Sequence, residues 1–519
     1  MKNTTTIMQA LYATILCGAA IILPIERSLA AQPGNETLTD AGPAEDSTQL
    51  TANHRASLEP ILRGLLQAQV DAQERIPGQA PVIVVSKVSF NDSGDELVVE
   101  LGKGYVPTYY GGNFEDHIHA LANNVYAYME KIGPLRSVDF TFEGRDILDY
   151  FPYERGLKEQ ADMSQQDALF HRANAGNSRV FVSGGHGYYF HKKYGWTTQR
   201  SLINGIIEDF ATPAFAASLN TYLSSRSGAE VFRARSLSRE RRAESDKPWA
   251  DMASRYFLKD MLPDAPEIWN SKPGEGGDME EYNQDIRSRP LYANHLGVDA
   301  AIHLHTNADT SPETRGIRVF YTKGRQADER LATTALCYIK ESLQSNPSFE
   351  DFPVGSMPSM GRYGENTYAT RPSIVAEIGF HTNKEDAAAI GNYVFRDLTM
   401  RGLEKGYRMF REGRGCEEFT VTHPEVSLVS ETPVKIDVVF SGAPRFPVKY
   451  AMIVTECSPD ITCTPRYGKF EDSAAPLTIR YDCMAMKDQS FTTKWDAFFT
   501  DADGVKAKTP VAMTCKPKG

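Results

Sequence analysis

The feature that most constrains the fold is an alternation between residues 178 and 413, where short apolar runs with polar or glycine ends are separated by segments of helical period. "SRVFVSGGHG" is an apolar strand ending in glycines, "AEVFRAR" is a short strand, and "VDAAIHLHTNAD" (298–309), "RGIRVFYTKG" (315–324) and "SIVAEIGFHTN" (373–383) are three more. Helical patterns fill 200–228, 326–345 and the stretch from Lys384 to Glu412. Strands separated by helices imply an α/β fold, a mostly parallel sheet with helices on both faces. Sites in such sheets form at the carboxyl ends of the strands. The polar residues that close the apolar runs are therefore the ones to weigh.

The 519 residues exceed one ordinary domain, and the flanks read differently from the centre. Residues 57–150 predict a small α+β domain, with strand patterns at 80–90, 95–101 and 135–144 and a helix over 116–133. His117 and His119 sit two apart on that helix, point to different faces, and read as structural or solvated. Residues 31–56 are rich in Thr, Ala, Gly, Pro and acids without a period, and are expected to be a flexible leader. From 416 to 519, runs such as "VKIDVVFSG", "KYAMIVTEC" and "FTTKWDAFFTDADG" predict a β-sandwich. Between 237 and 288 lies a charged segment too long for a simple connection, expected to be an insertion whose "WADMASRYFLKDML" is helical.

Export is written into the first thirty residues. Lys2, an apolar run from Ala10 to Leu23 and the small residues of Ser28-Leu29-Ala30 predict a signal peptide cleaved after Ala30. No apolar run reaches the roughly 20 residues that span a bilayer, so no transmembrane segment is expected in the mature chain. That chain is expected to be secreted or periplasmic. Its loss of Lys2, Glu26 and Arg27 moves the net charge from −11 to −12, which argues against nucleic acid as a partner. The basic stretch "RARSLSRERRAES" (233–245) interleaves arginine with glutamate and reads as a solvated helix face. Six cysteines remain after cleavage, five of them beyond residue 415, as suits disulfides in an oxidising compartment. Of the 15 possible pairings, the expected one is Cys457 with Cys463, Cys483 with Cys515, and Cys337 with Cys416.

Four side chains stand out chemically. His186 follows the strand in "GGHG", His305 follows 298–304, Glu377 lies late in its strand, and Glu208 belongs to the segment after the His186 loop. Two imidazoles and a carboxylate satisfy a catalytic zinc, and a further carboxylate serves as general base. Spacing alone leaves His303 as a rival to His305 and Asp209 as a rival to Glu208, and HExxH is absent.

In order and content, "VFVSGGHG", "IIEDFATPAFAASLNTYL…EVFRAR", "YANHLGVDAAIHLHTNAD" and "RPSIVAEIGFHTN" resemble the zinc-dependent N-acetylmuramoyl-L-alanine amidases of the amidase 3 type, over about 178–413. The resemblance implies His186, Glu208 and His305 as zinc ligands, Glu377 as the catalytic glutamate, and Arg235 as structural. It implies hydrolysis of the amide between N-acetylmuramic acid and the L-alanine of the stem peptide, with peptidoglycan as substrate and a protein activator as a further partner. The stretch "YYFHKKYGW" replaces the family's usual residues after the first His-Gly and alters the rim. Some relatives carry a gating insertion at the corresponding point. Residues 237–288, with Glu280 or Glu281 as plug, are expected to do the same. The competing functions are an exported wall-binding scaffold without turnover and a zinc peptidase acting on another amide.

Overall fold

The structure, a computed structural model, describes residues 50–170, 178–459, 461–474, 476–485 and 489–518. The expected signal peptide and residues 31–49 of the expected leader lie outside the described residues, while residues 52–56 belong to a helix rather than to a flexible leader. Nine strands form the main sheet: β1 (Val85–Phe90), β2 (Glu96–Leu101), β3 (Ser137–Phe142), β4 (Arg179–Gly184), β5 (Glu230–Phe232), β6 (Ala300–Asn307), β7 (Ile317–Tyr321), β8 (Ser359–Met360) and β9 (Ser373–Phe380). Their order is β1-β2-β3-β8-β7-β9-β6-β4-β5. Neighbours run parallel except β1 with β2 and β7 with β9. The longer helices are α1 (Ala52–Ala72), α2 (Gly112–Met129), α3 (Pro152–Phe170), α4 (Glu208–Ser227), α5 (Ser254–Met261), α6 (Glu280–Leu296), α7 (Gln326–Gln344), α8 (Lys384–Ile390) and α9 (Tyr393–Arg411).

Period-two alternation divides the strand side chains between two cores. Val182, Ile302, Leu304, Ile374 and Ala376 pack with Leu219 of α4, Leu336 of α7 and Leu403 of α9. One step along the same strands, Phe181 and Ala301 meet Tyr292 and Ala293 of α6, while Val375 and Phe320 meet Phe114 and Tyr126 of α2. Helices therefore cover both faces, as the alternation predicts. Residues 57–150 extend this sheet, because Ser137 of β3 pairs with Met360 of β8 and Leu62, Leu97 and Phe114 share one core with Tyr363 and Val375.

Three expectations change. The helix expected over 200–228 begins only at Glu208, because Asn204 and Gly205 both turn left-handed (φ 48° and 81°) and Ile203 and Ile206 exchange hydrogen bonds of 3.0 and 2.9 Å. Asn-Gly is a strong tight-turn pair, and here it outweighs the helical period around it. The last helix breaks at Gly391, and the Asn392 side chain caps a new one by accepting from Val394 N at 2.8 Å. The basic stretch at 233–245 is not a solvated helix face. It leads into a short hairpin, Arg241–Arg242 with Lys247–Pro248, and Arg242 is buried among the rings of Trp196, Trp249 and Tyr256.

The C-terminal region adds a five-stranded sheet from β10 (Val426–Val429), β11 (Val448–Cys457), β12 (Arg466–Phe470), β13 (Phe491–Thr500) and β14 (Lys506–Lys516), in the order β10-β14-β13-β11-β12. Its inner face, with Met452, Trp495 and Val511, packs against Ile479 and Tyr481 of a separate strand pair. All three expected disulfides form, and Cys337–Cys416 ties α7 to the start of this region. Among the described residues no helix is long and apolar enough to cross a membrane.

Candidate metal centre

The carboxyl ends of β4, β6 and β9 and the first turn of α4 bring four side chains to one open cavity of about 280 Å³. His186 stands in the loop after β4 with a left-handed backbone (φ 67°), followed by Gly187 at φ 132°. Gly185 permits the close approach of the second histidine, since a Cβ there would lie 2.3 Å from His305 Cε1. On β6, His305 is in register with Glu377 of β9. Glu208 opens α4 beneath the His186 loop.

Three atoms converge. Glu208 Oε1 lies 3.0 Å from His305 Nδ1 and 3.3 Å from His186 Nε2, and the two ring nitrogens face each other at 3.2 Å. A tetrahedral zinc bound at 2.0–2.1 Å separates its ligand atoms by about 3.3 Å, so this donor set fits such an ion. The group is buried and could hold a metal ion. Burial opposes charge on Glu208, but His186 and His305 outweigh it and hold the carboxyl well below its ordinary range. Burial likewise opposes charge on His305, but the carboxylates of Glu208 and Glu365 push it up to about 10. The surroundings favour a cation at this point.

The rivals have other partners. His303 shares a strand face with His305 but lies deeper, its Nδ1 bonded to Ser183 Oγ at 2.8 Å, and burial pushes it down to about 3. Asp209 accepts from the backbone of Gly187, Gln199 and Arg200 at 2.7–3.0 Å, clamping the loop that carries His186. Arg235 donates to Gly185 O, Asp209 O and Ala250 O and braces the same loop. His191 Nδ1 accepts from Lys193 N, and His381 Nδ1 meets Thr306 Oγ1 at 3.0 Å.

Glu377 lines the same cavity, 6% exposed. Burial pushes its carboxyl up to about 8, with Glu208 adding to the effect and His305 opposing it, and its Oε2 has no hydrogen-bond partner. A carboxyl poised near neutrality beside a metal group can take and return a proton.

Sequence reasoning passed over several wall residues. Arg200 sits 3.5 Å from Glu208 Oε2 and donates to Asp116 Oδ1 at 2.8 Å and to the Tyr282 hydroxyl at 2.6 Å. Helix α2 lays Glu115, Asp116, His119 and Asn123 along the opening, with Asn123 Nδ2 donating to Asn307 Oδ1 at 2.7 Å. His119 is thus a wall residue of the site, stacked on Tyr363 at 3.8 Å. Glu115 accepts from Gly364 N, and burial next to the Glu365 charge pushes it up to about 8. No local motif marks these positions. Polar residues on the apolar-patterned helix α2 were the one available signal. The expected plug is not at the cavity: Glu280 accepts from Lys192 Nζ and Gly274 N, both at 2.7 Å, and Glu281 pairs with Arg255 at 2.9 Å.

Residues 180–406 match the family model described as N-acetylmuramoyl-L-alanine amidase. A curated relative, the germination-specific N-acetylmuramoyl-L-alanine amidase of Bacillus subtilis (strain 168), is 27% identical over 140 residues, 27% of this chain and 56% of the relative. The match thus spans little more than half the length of that relative. Among solved structures, an N-acetylmuramoyl-L-alanine amidase from Clostridium difficile 630 is 19% identical, with 46% of this chain and 99% of the other covered at a TM-score of 0.32. Ami1 from Mycobacterium smegmatis is 14% identical, with 47% and 100% covered at a TM-score of 0.32. Residues 180–406 form a domain of the N-acetylmuramoyl-L-alanine amidase family.

Proposed function

We propose that the chain is an exported, zinc-dependent peptidoglycan amidase that cleaves the amide between N-acetylmuramic acid and the L-alanine of the stem peptide. The observation that carries this reading is the convergence of His186 Nε2, Glu208 Oε1 and His305 Nδ1 beside the buried Glu377, inside the stretch that matches the family. His186, Glu208 and His305 are the zinc ligands in this proposal. Zinc held there would supply Lewis acidity and acidify a water. Glu377 takes the proton of the attacking water and returns it to the departing amine of L-alanine, a role suited to a carboxyl near neutrality. Thr306 N, donating to Glu208 Oε1 at 3.1 Å, keeps that ligand in place.

Three disulfides are in keeping with export, and we assign residues 1–30 to a signal peptide and 31–49 to a leader. We further divide the mature chain into an N-terminal α+β part (57–150), the amidase domain (178–413, with its insertion at 237–288) and a β-sandwich (416–519). A protein activator is retained as a partner. The test is zinc content by mass spectrometry, followed by mass analysis of fragments released from purified peptidoglycan. Stem peptides freed with an intact L-alanine amino terminus are expected. Zinc binding without release would instead indicate a scaffold, and cleavage within the stem a peptidase.

A further inference from the structure

Each histidine of the metal group turns one ring nitrogen to the site, and the opposite nitrogen of each is engaged elsewhere. His186 Nδ1 meets Gln199 Oε1 at 2.7 Å, and His305 Nε2 meets Glu365 Oε1 at 3.0 Å. These two acceptors belong to one continuous network. Gln199 Nε2 donates to Asp285 Oδ2 at 3.0 Å, Arg289 Nη2 donates to the same oxygen at 3.0 Å, and Arg289 Nη1 donates to Glu365 Oε1 at 2.6 Å. Asp285 and Arg289 are wholly buried, one turn apart on α6, and Glu365 is 3% exposed. The Arg255 backbone N–H fixes the other Asp285 oxygen at 3.1 Å.

The polarity of this network can be followed bond by bond. Because Gln199 spends its amide N–H on Asp285, only its carbonyl is left for His186, so Nδ1 of His186 must carry the proton. Glu365 Oε1 already accepts from Arg289 Nη1 at 2.6 Å and accepts the proton of His305 Nε2 as well; Arg289 Nη1 also lies 3.3 Å from that nitrogen, but its shorter bond goes to Glu365. The two rings are thereby set in opposite tautomers. With the His305 ring neutral, as a metal ligand must be, those tautomers leave lone pairs on His186 Nε2 and His305 Nδ1, the nitrogens that face each other across the site.

We propose that Gln199, Asp285, Arg289 and Glu365 are positioning residues that select both histidine tautomers and so set the metal affinity of the site without touching the metal. The inference rests on the ligand reading above. It also gives the insertion a task other than plugging, since α6, which begins inside it, reaches the histidines from behind through Asp285 and Arg289. Losing such an outer partner weakens metal binding by about 10- to 100-fold.

The experiment measures zinc affinity of the full chain by competition with a chromogenic chelator, with Zn²⁺ alone as probe, for Glu365→Gln and Gln199→Met. Glu365→Gln leaves Arg289 paired with Asp285. Gln199, only partly buried, can change without opening the core. Gln199→Met is expected to keep the apo melting temperature, Glu365→Gln to lower it, and both to lose about 10- to 100-fold in zinc affinity. ¹⁵N NMR of the zinc-loaded chain should show the protons on His186 Nδ1 and His305 Nε2 in the wild type, and a shifted signal for that N–H at His186 in Gln199→Met and at His305 in Glu365→Gln. Wild-type affinity and unshifted imidazole signals in both variants overturn the inference alone. A wild type that binds no zinc overturns the functional reading and the inference with it.

Discussion

Asp328 allows a quantitative test of how the strand bearing Glu377 is held. It lies in the first turn of α7, wholly buried, with Oδ1 accepting from Ser373 N at 3.1 Å where β9 begins, and with Oδ2 unpartnered. Arg325 Nη1 is 3.8 Å away, but its guanidinium already donates to Asp162 and to the carbonyls of Asn366, Thr367 and Ala369. Burial therefore outweighs the Arg325 charge and pushes the carboxyl from 3.8 up to about 7. The native chain binds this proton more tightly than the unfolded chain. Its contribution is complete below about pH 3.8, declines as pH rises, and is gone above about pH 7. A rise of about 3, at roughly 1.4 kcal/mol for each, is worth roughly 4 kcal/mol. Asp328→Asn keeps an oxygen for Ser373 N and never ionises. It should match the wild type near pH 4 and exceed it by a few kcal/mol at about pH 8 in urea denaturation with the disulfides intact. A difference that does not vary with pH, or a variant weaker at about pH 8, would refute the reasoning.

Three further outcomes are expected. Glu377→Gln should retain zinc by mass spectrometry, since its Oε2 has no partner to lose, while hydrolysis of purified peptidoglycan falls by about 10²- to 10⁴-fold. His305→Ala should lower bound zinc as well as turnover, and unchanged metal content would reject it as a ligand. Replacing Cys337 and Cys416 together by Ala opens a crosslink 79 residues apart in sequence and should cost roughly 4–5 kcal/mol, measured by denaturation against the oxidised wild type.

What the sequence discloses here follows from how local each signal is. The apolar runs at β4, β6 and β9 carry their own period, and the site residues stand at their ends, so strand and candidate could be recognised together. The disulfides were legible because the cysteines cluster and the compartment expected from the first thirty residues favours pairing. The junction between the N-terminal strands and the rest was not legible, since it rests on the pairing of Ser137 with Met360, 223 positions apart and without a pattern of its own. Gln199, Asp285, Arg289 and Glu365 were equally hidden. They come from a loop, two consecutive turns of α6 and a short helical turn, and only folding makes them one network. Charged residues in such segments usually belong to solvent, and Arg289 reads that way until its burial is known.

The contrast between His303 and His305 explains why a period alone could not choose the proposed ligand. Both point to the same face of β6, and two residues along a strand separate them by about 6.6 Å. That step takes His305 to the carboxyl edge, where the β4 loop and the first turn of α4 deliver His186 and Glu208. His303 stays one layer in, beside Phe181 and Ser183, where burial keeps the ring neutral and a hydroxyl meets one nitrogen. The same depth argument applies to Glu377, whose register with His305 brings it to the edge layer. The proposed site in this sheet is therefore set by distance along the strand as much as by face. Replacing His305 leaves His303 on the same strand face, one layer too deep to join His186 and Glu208.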